Sequence, residues 1–306
     1  MEFALIIGKQ ILTMFLYIAV GFVLYRANLI TKEGSRGLAN LLLYCILPCV
    51  IINSFQAERT AEKMYEVGLS MGIGAAVLLL AIVMAALVFR KAPMDNFSSA
   101  FSNAGFMGFP LVTAALGASA TFYTVGFVAL LNVVQWTYGQ WILSRDKNQI
   151  SPKSGVKNPC VIAMLIGLAL FFTGLPLPGV VLNGMKTLAG ANAPVAMVIL
   201  GVYLAQTDLK KLFSNPRIYL VSGVRLVLIP LLTLGVLALT ARSMPAMAMA
   251  LLLTAAAPVG SNVAVYAQKL NKDYTYAVQL VCVSTLLSIC TMPVIAALAQ
   301  QIFPVG

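Results

Sequence analysis

Histidine is absent from this chain of 306 residues. That removes the commonest general base and the commonest metal ligand, so zinc hydrolysis and histidine-based triads are excluded. Charge is scarce as well. Asp, Glu, Lys and Arg make up 9% of the sequence, against about 25% in soluble globular domains, which excludes an aqueous fold. Acids are the rarer sign, 9 Asp and Glu beside 20 Lys and Arg, and all of them stand in loops or at the ends of apolar runs. No polar stretch is long enough for a soluble signalling domain; the longest covers residues 144–157. An intramembrane enzyme would find almost no catalytic side chains here. The 5 cysteines lie inside apolar runs and read as small buried hydrophobes rather than a disulfide framework.

What fills the chain instead is hydrophobic, 60% of it, with a mean hydropathy of +0.93. A helix needs about 20 mostly apolar residues to cross a bilayer. Runs free of Asp, Glu, Lys and Arg, with 96–143 long enough for two crossings and a turn at Gly117-Ala118-Ser119, predict ten spans. The sixth is expected to be short, cut by the Gly and Pro of residues 174–179 and followed by a partly interfacial stretch. Met1-Glu2 offers no basic leader, so the first span is expected to stay in the mature protein. Lys9, Arg59, Lys63, Lys186 and Arg242 fall on one side of this plan. Every other Lys and Arg except Arg225 falls on the opposite side. The positive-inside rule makes the second side cytoplasmic and places both termini outside. The net charge of +11 therefore reports topology, and no nucleic acid partner is expected.

The polar stretch at the midpoint divides the chain into residues 1–145, a cytoplasmic loop at 146–157, and residues 158–306. Five spans in each half give the halves opposite orientation, the inverted-repeat arrangement of secondary transporters. Proline positions agree, with Pro48 and Pro194 in the second span of each half and Pro110 and Pro258 in the fourth, at nearly one offset. Pro48, Pro194, Pro230 and Pro293 read as ordinary kinks. Pro110 and Pro258 sit mid-span among glycines and are expected to break their helices, a sequence pointer to a binding site at the midplane.

Around these residues the chain resembles the auxin efflux carrier family. The resemblance rests on Asn103, Gly105, Phe106, Gly108, Pro110 and Leu111 in span four, Pro258 and Asn262 in span nine, and residues 131–138 in span five. It implies an all-α polytopic membrane protein with ten transmembrane helices in two inverted five-helix repeats, helices 4 and 9 broken and crossing at the midplane. Helices 1, 2, 6 and 7 would form a scaffold that supports a homodimer. Helices 3–5 and 8–10 would form a mobile transport domain. The loop between the halves is short, which points to a bacterial carrier in the inner membrane.

The site expected at the crossing follows from charge. Half-helices starting at Pro110 and Pro258 would aim the N–H groups of Leu111–Thr113 and Val259–Ser261 at the midplane, with Gly105, Gly108 and Gly260 letting the backbone approach. Asn103, Ser261 and Asn262 add side chains. With no acid in any span, the site suits a small organic anion better than a cation. Transport would be uncoupled or driven by the membrane potential. The alternative is a sodium-coupled organic anion symporter of the bile-acid type, although no sodium site can be placed. No other cofactor and no metal ligand set is expected. Asn132, Gln135 and Tyr138 are read equally as substrate contacts or helix-packing contacts. Arg225, the one charge inside a span, either plays a structural part, snorkelling toward the cytoplasm or tying down carbonyls freed by a break, or directly helps substrate entry or binding. Trp136 and Trp141 read as interfacial anchors, and Gly68, Ser70, Gly72, Gly74, Ala75 and Ala76 as a close-packing face.

Overall fold

A computed structural model describes residues 2–56, 58–145, 158–207 and 213–305, so the predicted loop at 146–157 lies outside the described residues. Among the described residues the chain is helical, with one isolated bridge between extended residues. In chain order the helices are α1 (Glu2–Arg26), α2 (Lys32–Ser54), α3 (Ala61–Val88), α4 (Pro93–Ala100), α5 (Ala104–Leu116), α6 (125–144), α7 (Pro159–Thr173), α8 (Gly179–Ala205), α9 (Pro216–Thr240), α10 (Pro245–Ala255), α11 (Asn262–Lys269) and α12 (Tyr274–Ile302). The stretch expected to lie at the interface before span seven forms the first part of α8, Gly179–Gly190, which a turn at Ala191 separates from Asn192–Ala205.

Local chemistry sets the helix starts. Thr31, Thr60, Asn158, Asn215 and Asp273 each accept a hydrogen bond from a backbone N–H of the first turn. Pro93, Pro159, Pro216 and Pro245 occupy first-turn positions where no N–H is needed. Gly117 takes a left-handed φ of 87° where the turn after α5 was expected.

Six helices, α1 (from Leu5), α2, α3, α8, α9 and α12, are long and apolar enough to cross a membrane, and α5, α7 and α10 are shorter apolar helices. Their outward faces are apolar too: Leu16 is 67% exposed and Leu239 89%. Water would not tolerate such faces, and lipid does. The face expected on α3 is split. Ser70 and Gly74 are buried, Gly74 beneath Phe127 of α6, while Gly68, Gly72, Ala75 and Ala76 look outward. Of the cysteines, Cys160 and Cys282 are buried as expected, whereas Cys45 and Cys49 are half-buried and Cys290 is exposed.

Pro258 lies in the break expected of it, between α10 and α11, but Pro110 acts differently from expectation. Pro110 does not break its helix. A π turn at Ala104–Gly108 precedes it, and the Phe109 N–H reaches back to the Ala104 carbonyl. Widening the ladder by one residue relieves the clash a proline ring makes with the carbonyl four positions earlier. The same device precedes Pro48, after Leu42–Ile46, and Pro230, after Val224–Leu228. The interruption in this part of the chain lies upstream, at residues 101–103.

Helix α1 runs along α8 at a close crossing made by two glycines. A Cβ on Gly21 would collide with the Val198 carbonyl, and one on Gly201 with the Ile18 carbonyl. Both obstacles are backbone, so neither can rotate away. Substituting Gly201→Ala should destabilise the extracted protein by about 3 kcal/mol or more, read as a lowered unfolding midpoint in detergent. An unchanged midpoint would mean that the two helices are not held this closely.

Candidate functional site

Two interruptions meet. The chain leaves α4 in an extended conformation at Phe101, and Ser102 forms an antiparallel bridge with Val259, between α10 and α11. The Asn103 N–H donates to the Pro258 carbonyl at 2.8 Å, and the Gly260 N–H to the Phe101 carbonyl at 3.0 Å. Each broken segment thereby supplies partners for the other's backbone, which apolar surroundings demand. Two hydroxyls complete the junction. Ser102 Oγ donates to the Thr254 carbonyl at 3.1 Å, and Ser284 Oγ accepts from the Val259 N–H at 3.1 Å. Gly260 is required sterically, since a Cβ there would sit 3.0 Å from the Ser102 carbonyl oxygen.

The junction collects four helix ends of two polarities. The negative ends of α4 and α10 are met by Arg225, which is 1% exposed. Its Nε donates to the Ala257 carbonyl at 3.1 Å, and its Nη1 to the carbonyls of Ser99 at 3.1 Å and Ala100 at 3.5 Å. Of the two readings of Arg225, the structure supports the one in which it ties down carbonyls freed by the breaks. With the carbonyl ends answered by a cation, the positive ends of α5 and α11 remain.

Those two ends open on a cavity of about 170 Å³ lined by Asn103, Phe106, Ser261, Asn262, Trp136 of α6, Tyr203 of α8 and residues of α2. Among the described residues no carboxylate, ammonium or guanidinium lines it. Asn103 and Ser261 stand at the N-cap positions of α5 and α11, yet neither side chain makes the capping bond that Thr31, Thr60, Asn158, Asn215 and Asp273 make elsewhere. Ser261 Oγ is buried without a partner. Asn262 Nδ2 donates to Gln135 Oε1 at 2.8 Å, which leaves the buried Gln135 Nε2 unpartnered. Polar groups left uncommitted at two converging helix N-termini form a ready receptor for anionic oxygens.

The residues expected at the site divide accordingly. Asn103, Ser261 and Asn262 come together at the cavity, with Gln135 beside them. Pro258 and Gly260 build the junction. Gly105 lies one turn away, its carbonyl accepting from Asn192 Nδ2 at 3.0 Å, and Gly108 packs against the Thr254 backbone. Pro110, Leu111 and Asn132 do not reach this cavity. Pro110 lines a different one, Leu111 is fully buried in the core, and Asn132 Nδ2 bonds its own helix at the Val128 carbonyl. Of the N–H groups expected to be free, those of Leu111–Thr113, Val259 and Gly260 prove to be used or displaced. Leu111–Thr113 lie inside α5, and the N–H groups of Val259 and Gly260 are already bonded. Trp136 is more than an interfacial anchor, since it lines the cavity edge-on to Tyr266, with Lys269 Nζ 5.6 Å from its ring centre. Ser102, Asn192 and Tyr266 were not anticipated. Only Asn192, two residues before Pro194, carried a sequence signal.

The family model described as "Membrane transport protein" matches residues 6–296. The chain belongs to this family, that of the auxin efflux carriers. A Rhizobium meliloti (strain 1021) protein named "Putative malonate transporter" is 24% identical over 275 residues, covering 85% of each chain. An "Uncharacterized transporter" of Methanothermobacter thermautotrophicus is 25% identical over 248 residues, covering 74% of this chain and 77% of its own. The auxin efflux carrier family is one of transporters, not enzymes, and its apolar helices make this member an integral, multi-pass membrane protein.

Proposed function

We propose that this membrane transporter carries small organic anions by elevator-type alternating access, binding them between the N-termini of α5 and α11. The observation that carries the reading is the division of polarity at the junction. A buried arginine occupies the carbonyl ends, while the amide ends face a cavity that holds uncommitted Asn and Ser side chains and no carboxylate. Fixed partial positive charge without a full cation favours an anion that must also be released. At about 170 Å³ the cavity holds roughly six waters. A two- to four-carbon carboxylate suits it better than an indole acid, in keeping with the malonate named for the Rhizobium relative.

In this reading residues 1–145 and 158–306 are inverted repeats of five spans, α4 with α5 and α10 with α11 being the broken fourth spans. The scaffold is α1, α2, α7 and α8, supported by the glycine crossing of α1 on α8. The mobile domain is α3–α6 with α9–α12. The first part of α8, Gly179–Gly190, buries none of its residues, and its exposed Val180 and Val181 suit lipid or a second scaffold in a homodimer. In this reading the membrane is a bacterial inner membrane, and the placement of Lys and Arg supports both termini outside.

The test is charge movement across proteoliposomes on a solid-supported membrane, with malonate, malate, lactate and indole-3-acetate, each with and without sodium. The expected result is a saturable current with malonate that does not depend on sodium. A sodium-dependent current would replace uncoupled transport by sodium symport. Currents with cations alone, together with no radiolabelled exchange of any acid, would overturn the anion reading.

A further inference from the structure

A second cavity, larger than the one at the junction, lies among the described residues. It measures about 730 Å³, within the range of about 300–1,000 Å³ in which small-molecule sites fall. Helices α2 and α8 line both cavities at successive heights. Val50, Asn53 and Ser54 of α2 face the larger one, and Asn40 and Tyr44 the smaller; on α8, Asn192 faces the larger and Tyr203 the smaller. Between them α5 closes the seam, with Asn192 Nδ2 bonded to the Gly105 carbonyl.

The chemistry of the larger cavity has one sign. Among the described residues its ionisable lining side chains are Lys63 and Lys186, with no acid. Lys63 is already answered, by Glu66 Oε2 at 2.6 Å and the Tyr123 hydroxyl at 3.1 Å, so Lys186 is the cation left for a ligand. The hydroxyls of Ser54 and Thr121 lie 2.8 Å apart, each also placed to donate to a carbonyl of its own turn, which uses their protons. The wall amides are different. Asn53 has Nδ2 and Oδ1 both buried with no partner, and Asn192 Oδ1 is in the same condition with the residue 3% exposed. Of these atoms only Asn53 Nδ2 is a donor that an anion can pair, since an amide oxygen accepts; leaving that donor buried and unpaired is costly, and a carboxylate would answer it.

We infer that this cavity is a second carboxylate-binding site, in which Lys186 supplies the charge and Asn53 Nδ2, once turned toward the ligand, the hydrogen bond. The inference rests on the reading of the chain as an organic anion carrier, but on none of the residues of the junction. It gives the cargo a resting place on the far side of the α5–α8 seam from the junction.

The test is malonate binding by calorimetry to the full chain in nanodiscs of neutral phosphatidylcholine at low salt. The wild type should bind at two sites. Lys186→Gln should weaken one by about 1.4- to fivefold, the range for an exposed ion pair, and Lys186→Glu should remove it. Asn262→Asp should remove the other and leave the Lys186-sensitive one. Asn53→Ala should weaken malonate while leaving the unliganded protein as stable as before or more so, because the amide it deletes is unpaired. A lowered unfolding midpoint for Asn53→Ala would overturn the assignment of that amide. A single site that is lost in Asn262→Asp and indifferent to Lys186→Glu would overturn the inference and leave the junction reading intact. Binding lost in Lys186→Glu and unaffected by Asn262→Asp would do the reverse, and no malonate binding would overturn both. If Lys186→Glu changes retention of phosphatidylglycerol but not of malonate, the cavity belongs to a lipid headgroup and the inference fails.

Discussion

Replacing Arg225 by methionine should cost the extracted protein about 2–4 kcal/mol of stability and abolish transport. The side chain is 1% exposed, and its donors reach carbonyls on both sides of the junction, Ser99 and Ala100 on one and Ala257 on the other. Methionine fills a similar volume and avoids burying a charge, which offsets part of the loss. It leaves these carbonyls without donors where water does not reach, at about 1–3 kcal/mol each. The second effect wins because the carbonyls belong to two separate helix ends, and the bonds of the bridge between those ends serve other groups, so relaxation cannot satisfy both. Arg225→Lys keeps a charge on one nitrogen and loses the fork that spans the junction. It should fall between wild type and methionine in unfolding midpoint. The same pair of variants separates the two roles of Arg225 considered from the sequence. If Arg225→Met kept its unfolding midpoint and its kcat and raised only KM, the arginine would act on the cargo and the junction would stand without it.

The polarity of the junction also shows what the sequence made legible. Span positions were readable because the number of residues needed to cross a bilayer is fixed, and because Asn158-Pro159 and Asn215-Pro216 carry the chemistry of helix starts. The two segments that meet at the junction were legible from clustered glycine, asparagine and proline. The position of the first break was not. Proline was taken as the breaking residue, whereas a π turn accommodates Pro110 and the chain opens at Phe101–Asn103 instead. That choice depends on the tertiary partner, since an extended segment is stable there only because Pro258 and Gly260 pair with it. Gln135 and Asn132 show the same limit. Both were candidates at near-helical spacing, and only packing decides that Gln135 meets Asn262 while Asn132 turns back on its own helix. Asn192 was passed over because its partner, the Gly105 carbonyl, carries no side chain to read.

Converting the two asparagines of the junction to aspartate should stop anion transport without unfolding the protein. Asn103 stands at the N-cap of α5 and Asn262 in the first turn of α11, positions where a carboxylate is favoured by the helix dipole by about 0.3–1 kcal/mol and can cap free N–H groups. Asn262→Asp loses its donation to Gln135 Oε1, a cost of about 1 kcal/mol that the dipole term roughly cancels. Stability is therefore expected to stay within about 1 kcal/mol of wild type. The cargo meets the opposite balance. A hydrogen bond to a charged group is worth about 1.5–3 kcal/mol, so losing the Asn262 donor alone costs about 10- to 150-fold in kcat/KM. A fixed negative charge beside an incoming carboxylate adds repulsion that the low dielectric of the site enlarges. Each single variant should lose at least about a hundredfold in malonate kcat/KM, measured as initial current against concentration in proteoliposomes. Asn262→Ala should lose less than Asn262→Asp, because it removes the donor without adding the charge. Aspartate variants that fold normally and carry malonate as well as wild type would place the anion somewhere other than between these two helix ends.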